Sequence, residues 1–201
     1  MYLNTGPASI TGVDLSLIGM GKISPKVEFN FLFGYTYSYP ITKNRKKIYY
    51  MTSDSTGYSY MTTASNPKKG ILKYRIQHNF KCDLGFTFFK KLGVNIGMTY
   101  YSAMKNVDGM FFDFDAKNPN LSPAAASFIS TLGTLPFTGF SDYFYAHQKG
   151  SFCLDVGISY NILEDLKVSF IVKNILNNEY TLRPMYLEAP RTFNFQLVYG
   201  L

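Results

Sequence analysis

Residues 72–88 alternate without a break. Leu72, Tyr74, Ile76, His78, Phe80, Cys82, Leu84, Phe86 and Phe88 fall on one side, and Lys73, Arg75, Gln77, Asn79, Lys81, Asp83, Gly85 and Thr87 on the other. Successive side chains of a strand point to opposite faces, so this run predicts a strand with one apolar and one wet face. At ~3.3 Å per residue the run would make a rod of roughly 56 Å, far beyond the ~5–6 residues of an ordinary soluble strand. A strand that long, aromatic on one side and hydrated on the other, suits a wall between lipid and water.

Six further segments repeat the period of two. Their apolar positions are Val13, Leu15 and Leu17; Val27, Phe29, Phe31, Phe33, Tyr35 and Tyr37; Val94, Ile96, Met98 and Tyr100; Phe152, Leu154, Val156, Ile158 and Tyr160; Leu166, Val168, Phe170 and Val172; and Phe193, Phe195, Leu197, Tyr199 and Leu201. The pattern predicts seven strands. Short turns are expected near 21–25, 90–93 and 163–165, and long loops over 40–70, 105–147 and 174–190. Bilayer barrels have this alternation of short periplasmic turns and long outer loops. Tyr35, Tyr37 and Tyr39, Tyr100 and Tyr101, and Tyr143, Phe144 and Tyr145 are read as aromatic girdles at the lipid–water boundary. Within the second long loop, Ser122 as cap, Pro123 at the first helical position and Gly133 as stop predict one short helix.

Composition agrees with a membrane wall. Hydrophobic residues are 46% of the 201, yet no run approaches the ~18–20 apolar residues of a membrane helix. Aromatics reach 17%, and charged residues only 16% against ~25% in an average soluble domain. The net charge of +7 is not gathered into one stripe, which argues against nucleic acid as partner. The loop run Lys43, Arg45, Lys46 and Lys47 is read as solvated. Cys82 falls on an apolar face and Cys153 on a polar one, so a disulfide between them is not expected. The start, Met1-Tyr-Leu-Asn-Thr-Gly-Pro, has no basic, apolar or cleavage region of the secretory kind. Either such a signal has been removed or residue 1 is not the start of the gene product.

No catalytic constellation is present in the sequence. His78 and His147 have no metal-ligand partner at useful spacing. There is no Gly-x-Ser-x-Gly elbow and no phosphate loop, and Gly19-Met20-Gly21 is read as a turn between strands. Asp108, Asp113, Asp115, Asn118 and Asn120 crowd one loop, but their spacing does not match a calcium loop. No enzyme, cofactor or metal is therefore expected.

The C-terminal third resembles a family. Lys173-Asn174-Ile175-Leu176-Asn177-Asn178-Glu179-Tyr180, then Pro190-Arg191-Thr192-Phe193, then an alternating strand to the last residue, is similar to the end of TonB-dependent outer-membrane receptors. Ile10–Leu15 with Gly34–Pro40 looks like paired strands further upstream in that family. The resemblance covers essentially the whole chain. Its tail motif falls on Asn174, Asn177, Tyr180, Pro190, Arg191 and Phe193. Leu201 stands where the family's closing strand ends in an aromatic.

The resemblance implies an all-β, antiparallel transmembrane barrel segment of about seven strands, open and incomplete, from the C-terminal part of a 22-stranded barrel. It implies that residues 1–201 lack the plug domain. It further implies bacterial outer-membrane location and uptake of iron–siderophore complexes or similar scarce ligands. The implied partners are outer-membrane lipid, the remaining strands and plug, and the TonB complex acting through the N-terminal part. Tyr180, Arg183 and Tyr186 are candidate ligand contacts in the third loop, beside Glu188. Lys73, Arg75, Lys81 and Asp83 are expected to line the lumen.

Seven strands cannot close, and unpaired edges in hydrocarbon cost several kcal/mol per unsatisfied group. The isolated chain is therefore expected to aggregate. An alternative is a complete barrel of about eight strands with a structural or pore role, its extra strand within 40–70 or 105–147. A soluble sandwich would need the aromatic rows packed on each other.

Overall fold

All seven alternating segments form strands, and they lie side by side in chain order. The computed structural model describes residues 6–136 and 138–200, so Leu201 and the Met1 segment lie outside the described residues. The strands of the main sheet are β1 (Ala8–Ser24), β2 (Val27–Thr42), β5 (His78–Phe88), β6 (Leu92–Tyr101), β7 (Ser151–Asn161), β8 (Leu166–Lys173) and β9 (Thr192–Tyr199). Every neighbouring pair is antiparallel, and the order is β1-β2-β5-β6-β7-β8-β9. The first long loop holds β3 (Ile48–Met51), β4 (Gly57–Ser59) and α1 (Tyr60–Thr63); the second holds α2 (Met110–Asp113), α3 (Pro123–Leu132) and α4 (Phe140–Ala146). β3 and β4 form a separate two-stranded sheet. Among the described residues, the first long loop thus adds no eighth strand to the wall.

The register carries the apolar positions across the sheet in straight rows. Phe31, Leu84, Ile96, Val156, Val172 and Phe193 are successive partners. So are Phe29, Phe86, Val94, Ile158, Phe170 and Phe195 one row nearer the turns. A one-residue slip would turn a strand's whole apolar set over, so agreement across seven strands fixes the register. From the Val27 row to the Tyr37 row is ten residues. That is roughly 33 Å along the strand and, at a tilt of ~40°, about the 25 Å apolar band of a bilayer barrel. Among the described residues no second sheet covers these rows. Leu17 is 60% exposed and Phe195 72%. The stacked-sandwich arrangement is absent, and a continuous exposed apolar face marks a lipid or partner surface.

The opposite face is polar and slight over its central strands, with Asn30, Gly85, Asn95 and Gly157 along one row and Lys81, Thr99 and Cys153 along another, while Ile18, Met20, Leu32, Ile171 and Val198 add apolar side chains toward its edges. Cys82, paired with Met98, belongs to the apolar face, so the two cysteines point to opposite sides. Lys81 and Asp83 pair at 3.0 Å on the wet face. The sheet is open, with β1 and β9 as its edges.

Three expectations need correction. First, the 72–88 run is not one strand: β5 begins only at His78. Tyr74 adopts φ 62°, which breaks the alternation. Its N–H donates to the Asn106 carbonyl at 2.9 Å, while Lys73 and the Tyr74 hydroxyl both reach the Asp108 carboxylate. Ile76 packs against the cluster Met104, Val107 and Phe140. Lys73 is therefore a loop-cap residue rather than a lumen residue. Second, Gly19-Met20-Gly21 is strand, not turn; the rings of Phe31 and Phe29 lie over the two glycines, where a Cβ would meet them at 2.4 and 2.8 Å. Third, of the expected girdle residues Tyr35, Tyr37, Tyr39 and Tyr100 lie on the apolar face, and the others do not. Tyr101 faces the wet side, stacked on Tyr180, and Tyr143, Phe144 and Tyr145 belong to α4 in the second loop. His78 joins the girdle instead, its Nδ1 2.9 Å from the Tyr35 hydroxyl.

The loops are folded. Asn106, 1% exposed, accepts from the Asn66 N–H at 2.9 Å and donates to the Ile71 carbonyl at 2.8 Å and to the Tyr60 hydroxyl. One side chain thereby ties the first long loop to the second. Eight of the 20 Lys and Arg, and one of the 13 Asp and Glu, lie between Thr42 and His78. That first loop alone accounts for the net +7, and the rest of the chain is neutral.

Candidate functional site

At the loop end the wet face opens into a cavity of about 280 Å³, walled by the end of β6, by α4 and by the third loop. Its β6 wall is fixed by Ser102, whose N–H donates to the His78 carbonyl at 2.9 Å and whose hydroxyl accepts from the His78 N–H at 3.0 Å. The α4 wall presents Phe140, Tyr143, Phe144 and His147. Asp115, fully buried, holds that helix by its N-terminal end, accepting from Ser141 N–H at 2.7 Å, Gly139 N–H at 2.9 Å and Lys117 N–H at 3.1 Å. Burial alone would raise this carboxyl, but those donors outweigh it and hold it at about 2. Gly150 turns the chain into β7 at φ 86°, where a Cβ would lie 2.4 Å from the Tyr101 carbonyl oxygen.

A second cavity of about 210 Å³ lies along the wet face and is lined by Thr99, Cys153, Asp155, Lys173, Asn174 and Tyr180 among others. Tyr101 lines both cavities. It stacks on Tyr180 with ring centroids 6.3 Å apart and planes 6° from parallel. The Tyr180 hydroxyl is pushed up to about 12, chiefly by burial, with Cys153 and Glu188 adding to it.

The tail motif builds the base of the third loop. Asn174 and Asn177 take left-handed backbone at φ 49° and 54°, which asparagine tolerates better than other side chains. Asn174 is buried, and its N–H donates to the Asp155 carboxylate at 2.8 Å. Its side chain donates to the Asn178 carbonyl at 2.9 Å and accepts from the Asn178 N–H at 3.0 Å. Asn177 accepts from the Arg191 N–H at 2.9 Å, closing the loop onto the start of β9. Pro190 lines the lower cavity, and Phe193 stacks on Phe170 on the apolar face. The Asn-rich motif is thus a backbone staple.

The three candidate contacts separate. Tyr186 lines the upper cavity and Tyr180 the lower, while Arg183 lies outside both, its guanidinium 4.9 Å above the Tyr186 ring. His147 lines the upper cavity, stacked on Tyr143 at 3.9 Å, with Nδ1 2.8 Å from the Tyr143 carbonyl oxygen. The acid-rich stretch is divided among other tasks: Asp108 meets Lys73, Asp115 caps α4, and Asn118 bonds the Phe112 carbonyl at 2.9 Å. Sequence reading missed the α4 wall; the aromatic repeat Phe140, Tyr143, Phe144 and His147, at helical spacing, is the signal that would have found it.

No family model matches the chain, and no curated protein sequence matches it. A solved structure does: the closed form of the ferric-catecholate import receptor Fiu from E. coli K12, at TM-score 0.56 and 20% identity over 96% of this chain. At that identity the likeness is one of fold. The chain spans 21% of that receptor's length. That neighbour is an import receptor.

Proposed function

We propose that this chain is the C-terminal wall segment of a TonB-dependent outer-membrane receptor, completed by further strands into a 22-stranded barrel around a plug. The observation that carries the reading is the set of uncovered apolar rows on an open antiparallel sheet whose long loops all lie at one end. Its working role is uptake of a scarce ligand, iron–siderophore complexes being the first class to try, driven through TonB contacts made by the N-terminal part. Tyr180 and Tyr186 contact the ligand from the third loop, and Arg183 braces Tyr186 by its cation–π contact.

The test compares the chain expressed alone with the chain expressed behind its native upstream polypeptide. The longer protein should run as a heat-modifiable barrel in outer-membrane fractions and support ferric-chelate uptake that stops when TonB is removed. The chain alone should aggregate, because both sheet edges are open. A monodisperse, heat-resistant barrel formed by the chain alone would overturn the reading.

A further inference from the structure

Building on that receptor reading, we propose that the upper cavity takes an uncharged ring-bearing molecule, or an uncharged ring of a larger one, in preference to an anion. Not one of its lining residues is Asp, Glu, Lys or Arg. Its lining includes the aromatic side chains of Tyr143, Phe144 and Tyr186, and the amide side chain of Gln148. A charge brought here would lose water without gaining a partner. An uncharged flat ring would pack against these aromatic side chains and lose little.

Among the described residues no Lys or Arg lines this cavity, although Lys105 and Lys149 adjoin lining residues in the chain. The first long loop, which carries the whole net charge, contributes no lining residue. Arg183 is stacked on Tyr186, Lys117 pairs with Asp142 at 2.8 Å, and Lys173 lies in the lower cavity with Asp155. His147 is the one imidazole in the lining. Its Nδ1 faces the Tyr143 carbonyl, an acceptor, so Nδ1 carries the hydrogen and Nε2 of the neutral ring is an acceptor. That arrangement suits a hydroxyl or N–H donor on the ligand's ring.

The test uses the native polypeptide carrying this chain, purified from outer membranes. Three isosteric probes are titrated by calorimetry at neutral pH: 1-naphthol, 1-naphthoate and 1-naphthylmethylammonium. Ala103→Phe and Thr181→Trp each fill the cavity from a different wall, and heat-modifiable mobility confirms that each variant is assembled. Naphthol should bind at least tenfold more tightly than either ion, and should lose at least tenfold in both filled variants. Naphthoate binding as tightly as naphthol and lost on filling would overturn the proposal. So would naphthol binding that is the same in wild type and both variants. The receptor reading stands or falls separately, on outer-membrane assembly and TonB-dependent uptake.

Discussion

Replacing Asn174 tests the staple that sets the third loop on its base. Besides a long contact to the Ala189 carbonyl at 3.5 Å, Asn174→Ala removes two short side-chain hydrogen bonds, to the Asn178 carbonyl at 2.9 Å and from its N–H at 3.0 Å. Each contributes about 0.5–1.5 kcal/mol net. Alanine at φ 49° adds about 1 kcal/mol of left-handed backbone cost. The expected loss is therefore about 2–4 kcal/mol. Asn174→Gly removes the same bonds but carries no left-handed cost, so it should lose about 1 kcal/mol less, a factor of about 5 in the unfolding constant. The bond from the residue's own N–H to Asp155 survives in both variants, which confines the comparison to side chain and backbone conformation. Reversible urea unfolding of the assembled protein in lipid vesicles measures both differences. Alanine within 0.5 kcal/mol of wild type (a margin well under about one hydrogen bond), or glycine less stable than alanine, would refute the staple.

Two further outcomes follow from the loop cap. The Asp115 carboxyl is held at about 2 against an ordinary 3.8, so its contribution is complete above 3.8 and is lost as pH falls toward 2. That contribution is on the order of 2 kcal/mol, and it should appear as loss of amide protection at Gly139 and Ser141 below about pH 4 after correction for intrinsic exchange, a loss that Asp115→Asn shows at neutral pH. Gly150→Ala combines a positive φ of 86° with a Cβ 2.4 Å from a backbone oxygen, and should cost at least about 2 kcal/mol in the same urea assay; a neutral result would mean the β7 entry is not held as described.

The strands were legible because one mainly apolar and one mainly polar face impose a period of two along each of them. Each of the seven runs read from the sequence contains a strand, that of 72–88 only from His78 onward, and the Ser122–Pro123 start and Gly133 stop of α3 held, with the Ser122 hydroxyl accepting from Ala125 N–H at 3.2 Å. Where reading failed, a distant side chain decided the local conformation. Residues 72–77 alternate as faithfully as the strand that follows, but Asp108 and Asn106, more than thirty residues away in the chain, pull Lys73 and Tyr74 out of the sheet. The loop cap was opaque for the same reason: its organisers, Asn106 and Asp115, look like solvated loop residues until their backbone partners are known. Of the residues around the two cavities, Tyr180 and Tyr186 were named from the sequence and those of α4 were not. The stacking of Arg183 on Tyr186 was not legible, because it depends on a turn that residue pattern does not encode.

The account rests on which face of the sheet meets lipid, and one pair of neighbouring substitutions decides it. Ile96 lies mid-strand on the apolar face, and Asn95 beside it points to the wet face between Gly85 and Gly157. Ile96→Arg places a charge near the bilayer midplane and should destabilise the assembled protein in vesicles by about 2–4 kcal/mol, whereas Asn95→Arg should cost no more than about 1. Equal costs, or a larger cost at Asn95, would mean the apolar rows do not face lipid.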